Sequence, residues 1–188
     1  MANVYTTDCP RLIDKILGEI QRGLADNIGW LDNVFGKAYR LVSRDNMRRY
    51  YTPVVYTHGN EYLKMLPDSG LGNFVFFRVD DPQTMNWIPY QQGSLKFTAA
   101  LIVWFDLRRV FYGEDGRNIE AIKAEFLKVL NGCFTIHSGN LQVYRIYEQA
   151  ENIYKGYTIE EVDNQFLIHP YGGLRIDLDI NVNEDCYL

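Results

Sequence analysis

The sequence predicts an α+β fold: a mainly antiparallel sheet with two amphipathic helices packed on one face, plus a long loop/β insertion. Three observations predict it. Leu174, Ile176, Leu178, Ile180 and Val182 alternate without a break with Arg175, Asp177, Asp179 and Asn181, which is the period of a strand with one apolar face. Leu95–Leu107 is a long strand pattern whose middle is apolar on both sides. Two further segments repeat their apolar residues at helical spacing.

In chain order, the first helix is expected to start at Asp8, whose side chain can accept from an unpaired N–H of the first turn, with Pro10 tolerated behind it. Leu12, Ile13, Ile16, Leu17, Ile20 and Leu24 form its apolar stripe, and Gly23 and the stretch 25–29 end it. Short strands are expected at Lys37–Val42, Val54–Tyr56 and Glu61–Leu66, and Pro67-Asp68-Ser69-Gly70 reads as a turn. Phe74–Val79 reads as a strand stopped by Asp80-Asp81-Pro82, and 83–92 as an ordered loop.

After the long strand, 113–117 reads as a turn and Asn118 as the N-cap of the second helix. Ile119, Ile122, Phe126, Val129 and Leu130 are its buried stripe, and Asn131-Gly132 its stop. Leu141–Glu148 is a strand, with a possible parallel neighbour in the long strand that the helix joins to it. The polar stretch 149–161 has no clear pattern. No linker or repeat divides the chain, so residues 1–188 are expected to form one domain, with 30–92 as an insertion or arm within it.

The composition suits a packed core: 47% hydrophobic and 23% charged residues. The net charge of −5 argues against a nucleic-acid partner, because phosphate binding needs clustered Lys and Arg. Arg44, Arg48 and Arg49 form one basic cluster, diluted by Asp45, and read as a solvated or subunit-facing loop rather than a phosphate site. MANVYTTDCP lacks the pattern of a signal peptide, and the apolar run Ala99–Phe105 is too short to span a bilayer. Cys9, Cys133 and Cys186 are scattered, as reduced thiols would be. The expectation is a soluble intracellular chain with no membrane and no sequence-specific nucleic acid among its partners.

No residue pattern points to catalysis, a cofactor or a metal. His58, His137 and His169 are isolated; His58 with Glu61 makes at most half a site, and Asp115-Gly116 lacks the alternating acids of a calcium loop. There is no G-x-S-x-G around Ser43, Ser69, Ser94 or Ser138, and Cys9 at a helix start reads as a small packing residue. Gly70-Leu71-Gly72-Asn73 and Gly172-Gly173 precede strands, whereas a phosphate cradle precedes a helix. Asp177 and Asp179 share a strand face and could act as an acid–base pair or bind a cation; a solvated sheet face is the reading preferred. The remaining signal is aromatic surplus: fourteen Tyr, ten Phe and three Trp. Tyr50, Tyr51, Trp87, Tyr90, Tyr154 and Tyr157 lie in loops or on uncertain faces and are candidates, with the three arginines, for an interface.

The order of an N-terminal amphipathic helix, LKFTAALIVWFDL, NIEAIKAEFLKVL, LQVYRIYE and LRIDLDINV resembles the tail-completion and tail-terminator proteins of bacteriophages. The ending PYGGLRIDLDINVNEDC also resembles structural proteins of crAss-like phages. The resemblance implies a non-enzymatic virion protein of the neck or tail (terminator, connector or ring protein), assembled in the bacterial host cytoplasm. It implies copies of the chain in a hexameric or dodecameric ring that joins head and tail components, with portal, adaptor or tail proteins as partners. Segment 30–92 would be an arm that grips a neighbour, and Arg175, Asp177 and Asp179 would line the lumen or face another subunit. The alternative is a small intracellular enzyme or ligand-binding domain using the Asp177/Asp179 face.

Overall fold

The computed structural model describes residues 2–45, 48–57, 61–67, 69–86, 93–111, 118–159 and 165–184. The chain begins with strand β1 (Asn3–Tyr5), helix α1 (Ile13–Asn27) and strand β2 (Asn33–Lys37). Strands β3 (Tyr39–Asp45), β4 (Arg48–Thr57) and β5 (Glu61–Lys64) follow, then β6 (Phe74–Val79), β7 (Thr84–Asn86) and the long β8 (Gly93–Asp106). A short helix α2 (Leu107–Val110) leads to α3 (Ile119–Lys128), which runs on as a π-helical turn over Val129–Cys133. Strand β9 (Gly139–Tyr147), the one-turn helix α4 (Ala150–Ile153) and β10 (Tyr171–Glu184) complete it.

The fold is α+β and mostly sheet. The main sheet has the order β1-β2-β6-β8-β10-β9, with β7 paired to the start of β8. The pairs β1/β2 and β2/β6 are parallel; β6/β8, β8/β10, β10/β9 and β7/β8 are antiparallel. The parallel pairing that the sequence allowed between the long strand and the Leu141 strand is not formed. Strand β10 lies between them, antiparallel to both, because its regular alternation lets it pair along its whole length with β8, Tyr171 opposite Asp106 through Glu184 opposite Gly93.

The strand periodicity sorts side chains to two faces. On one face, Val34, Val75, Phe77, the odd-numbered apolar residues of β8 and the even-numbered ones of β10 join Ile16, Leu17, Ile20 and Leu24 of α1 and Ile122 and Phe126 of α3 in one core. On the other, Phe35, Phe74, Phe76, Ala100, Ile102 and Trp104 pack with Val55, Met65, Ile153 and Tyr154. Trp104 is fully buried, stacks on Phe74 at 5.6 Å and donates its indole N–H to the Phe166 carbonyl at 2.7 Å. Trp30, placed by the sequence at the start of an insertion, belongs to the first core: its ring stands edge-on to Phe105 and Phe126, and its N–H donates to Glu125 at 2.7 Å.

Several element boundaries differ from expectation. Asp8 does not cap α1. Cys9 and Leu12 both have positive φ (50° and 47°), so the chain turns twice before the helix begins at Ile13 with no side-chain cap. Asn118 does cap α3, accepting from the Ala121 N–H at 3.0 Å. Residues 84–86, read as loop, pair with β8 as β7. The expected turn at 113–117, together with Trp87, Tyr90, His58 and Cys186, lies outside the described residues.

The end of β8 carries a pH-dependent contribution. Asp106 caps α2 and takes two hydrogen bonds from the Arg108 guanidinium, at 2.9 and 2.7 Å. These bonds hold its carboxyl below the ordinary value, against burial, which pushes it up. With the folded pKa below the unfolded one, this stabilisation is complete above the ordinary carboxylate value of about 4 and is lost as pH falls through the lowered folded value. Asp106→Asn keeps an acceptor for the cap and is expected to flatten that acid-side loss in urea titrations run from about pH 5 to pH 2. An unchanged pH profile would remove the charge pair from the account.

Candidate assembly interface

Strands β3, β4 and β5 form a second, separate antiparallel sheet that stands off the body as an arm. Its root is buried: Val54 and Val55 are each 3% exposed, Val55 packs with Met65 in the second core, and the Met65 N–H donates to the Pro53 carbonyl at 2.8 Å. Beyond the root the burial ends. All seven residues of β3 are exposed.

A strand places alternate side chains on opposite faces. Tyr39, Leu41, Ser43 and Asp45 therefore share one face of the arm, and Arg40, Val42 and Arg44 the other. Tyr39, Leu41 and Val42 are about half exposed (50%, 48% and 52%), so β3 has apolar side chains in solvent on both faces and buries neither. It is also an edge strand, with one row of backbone N–H and C=O groups unclaimed by the sheet. On β5, Tyr62 is exposed and meets Tyr56 edge-to-face at 5.5 Å. Exposed aromatics and an uncovered edge are the features of a surface that associates, through side-chain burial or strand addition.

The arm is basic. Residues 39–64 carry five cations (Arg40, Arg44, Arg48, Arg49, Lys64) against two acids (Asp45, Glu61), a net +3, and the rest of the chain carries −8. The sequence-predicted cluster Arg44, Arg48 and Arg49 lies at the arm's tip, all three exposed. The register sets Arg44 directly opposite Arg49 and Asp45 opposite Arg48. Like charges in direct opposition cost stability, so the Arg44/Arg49 face of the tip favours an external anion. Tyr50 and Tyr51 are half-buried further down β4, where Arg40 covers the Tyr51 ring at 4.8 Å.

A strap, residues 149–159, ties arm to body. The Thr158 N–H donates to the Tyr51 carbonyl at 2.8 Å, and the Tyr51 N–H donates to the Thr158 hydroxyl at 3.1 Å. The Lys155 carbonyl accepts from the guanidinium of Arg78 and from that of Arg175, the latter at 3.5 Å. Gly156 follows with φ of 93°, a backbone conformation that other L residues rarely adopt, so the strap needs glycine there.

The strap overturns two expectations of surface. Tyr154, a candidate interface residue, is 2% exposed and packs against Phe76; Tyr157 is half-buried beside it, and burial pushes its hydroxyl up to about 12. Arg175 and Asp177 are 6% and 5% exposed, neither solvated nor lining a lumen. They pair with each other at 2.6 Å, and Arg175 also lies over the Tyr147 ring at 5.5 Å. Asp177 is thus committed to Arg175, and of the two acids only Asp179 reaches solvent.

Asp179 lines an open concavity of about 420 Å³ at the end of the main sheet remote from the strap, with Thr98, Asn140, Gln142, Lys96 and Asn181. The Asn181 Oδ1 is buried there with no hydrogen-bond partner, and Asp179 is in no ion pair among the described residues. Partial burial first, then the carboxylates of Asp177 and Asp179, push the pKa of the nearby Tyr144 hydroxyl above its ordinary value.

Sequence reasoning missed Tyr39, Leu41, Val42 and Tyr62 as exposed residues. A usable signal was present in YRLVSRD, where neither alternate set is uniformly apolar, so neither could form a buried face. The chain matches no protein-family model and no curated protein sequence.

Proposed function

We propose that the chain is a non-enzymatic structural protein of a bacteriophage virion, a tail terminator, connector or ring protein of the neck or tail. It assembles as a hexameric or dodecameric ring joining head and tail components, with portal, adaptor or tail proteins as neighbours. The observation that carries this reading is the arm: β3 exposes all seven of its residues and leaves apolar side chains on both faces. A protomer working alone gains nothing from such a strand, whereas one that inserts it against a neighbour buries it. In this reading the two helices packed on one face of the main sheet stiffen the body that carries the arm. One heterologous contact, repeated, closes into a ring when its rotation divides the circle. The −5 net charge fits a particle through which DNA passes without sticking.

Light scattering coupled to size exclusion tests this. The wild type is expected to form a discrete oligomer, alone or with portal or tail partners. Leu41→Asp with Val42→Asp is expected to leave the thermal midpoint within about 2 °C, since exposed positions contribute little to stability, while abolishing assembly. A double variant that assembles like the wild type contradicts the role of the arm. A wild type that is monomeric under every condition, partners included, contradicts the ring.

A further inference from the structure

We propose that the arm tip of one copy docks into the Asp179 concavity of a second copy, the Arg44 and Arg49 guanidiniums meeting the Asp179 carboxylate. This rests on the reading of the arm as a self-assembly device and names the surface that receives it.

Each side lacks what the other supplies. At the tip, Arg44 and Arg49 stand opposite one another, and neither is in an ion pair among the described residues. In the concavity, Asp179 is an exposed carboxylate in no ion pair among the described residues, and the exposed Gln142 amide stands directly opposite it on β9. A guanidinium has five N–H donors in a planar fork, enough to bind a carboxylate with two of them and leave another for an amide oxygen. At about 420 Å³ the concavity is within the range of about 300–1,000 Å³ that holds bound groups, so it admits side chains from a strand end.

The charge of the whole molecule runs the same way. An arm of net +3 on a body of net −8 is repelled by other arms and drawn to other bodies, which selects a head-to-tail contact over an arm-to-arm one. The donor and acceptor surfaces lie on different parts of one chain, so every copy gives one contact and receives one.

The test is a charge exchange between copies. Asp179→Arg keeps the arm and destroys the receiving site; Arg49→Glu keeps the site and reverses part of the arm. Each alone is expected to weaken self-association by a factor of roughly 30 or more, read by light scattering and sedimentation, with the thermal midpoint held. Mixed together, the two variants retain one competent contact, the arm of Asp179→Arg in the site of Arg49→Glu, and are expected to form a one-to-one heterodimer that grows no further. The combination of both substitutions in one chain is expected to recover higher oligomers, because the reversed charges face one another again. Asp179→Arg that assembles like the wild type, or a mixture that yields no heterodimer, overturns the proposal. If Leu41→Asp with Val42→Asp dissociates the assembly while Asp179→Arg does not, the arm stands and this receiving surface is wrong. A wild type that remains monomeric when alone also overturns it, while leaving assembly with portal or tail partners open to its own test.

Discussion

Phe126→Asp is expected to yield no folded, soluble protein, and the milder Phe126→Ala to lower stability by about 3–5 kcal/mol. Phe126 is fully buried in α3, under the main sheet, with the Trp30 ring edge-on at 5.9 Å. Trp30 in turn meets Phe105 at 6.1 Å and donates to Glu125 on α3. The three rings therefore join α3, the loop after α1 and strand β8. A carboxylate in that position has no cation to pair with and must either ionise without water or hold a proton, each at a cost of several kcal/mol against a total stability of about 5–15. For a chain of this length each kcal/mol lost lowers the melting temperature by about 2–4 °C, so Phe126→Ala should melt on the order of 10 °C earlier. Equal melting temperatures would show that the sheet and α3 are held by something other than this contact.

The second large effect is at the buried pair. Arg175 and Asp177 have side chains 7% exposed each and lie 2.6 Å apart on one face of β10. Removing one partner leaves the other charged and enclosed, so Asp177→Ala is expected to cost about 3–5 kcal/mol. The same holds for Arg175→Ala, with one difference: Arg175 also holds the Lys155 carbonyl, so its loss loosens the strap and with it the hold on the arm through Thr158 and Tyr51. Replacing both residues together by Met and Leu removes the two charges along with their desolvation and is expected to cost far less than either single change, or to stabilise. Chemical denaturation of the wild type, the two alanine variants and the Met/Leu double measures these differences, and the double alanine variant completes the double-mutant cycle. Single changes costing under about 1 kcal/mol would mean the pair behaves as a surface one, which its burial contradicts. Hydrogen exchange at Tyr51 and Thr158 should rise in Arg175→Ala more than in Asp177→Ala if the strap transmits the loss.

Much of the fold was legible in the sequence because its signals are local. The apolar stripe of α1, the Asn118 cap and the alternation in β8 and β10 each depend on residues a few positions apart, and the backbone geometry follows from them. The sequence marks both ends of Phe74–Val79, since the β-branched and aromatic run and Asp80-Asp81-Pro82 bound it. The sequence was misleading where an element's environment comes from elsewhere in the chain. Alternating charge along LRIDLDINV reads as a wet face, yet residues 149–159, themselves patternless, fold over half of it. Tyr154 looked like a surface aromatic for the same reason. The arm was visible only as part of the insertion 30–92, because whether a strand is covered depends on what packs against it rather than on its own residues.

The arginine cluster shows the division most clearly. The sequence by itself determined that Arg44, Arg48 and Arg49 are close together and face no local acid but Asp45. Only the tertiary structure decided that they stand at the end of an exposed β3–β4 ribbon, with Arg44 opposite Arg49, since register is set by pairing across the hairpin. For LRIDLDINV, the sequence determined that one face is core, because period two in apolar residues admits no other packing. The tertiary structure decided that the other face is split, Arg175 and Asp177 enclosed under the strap and Asp179 left open. Burial is a property of the assembled layers, and a charge pattern along one strand cannot specify what another segment will cover.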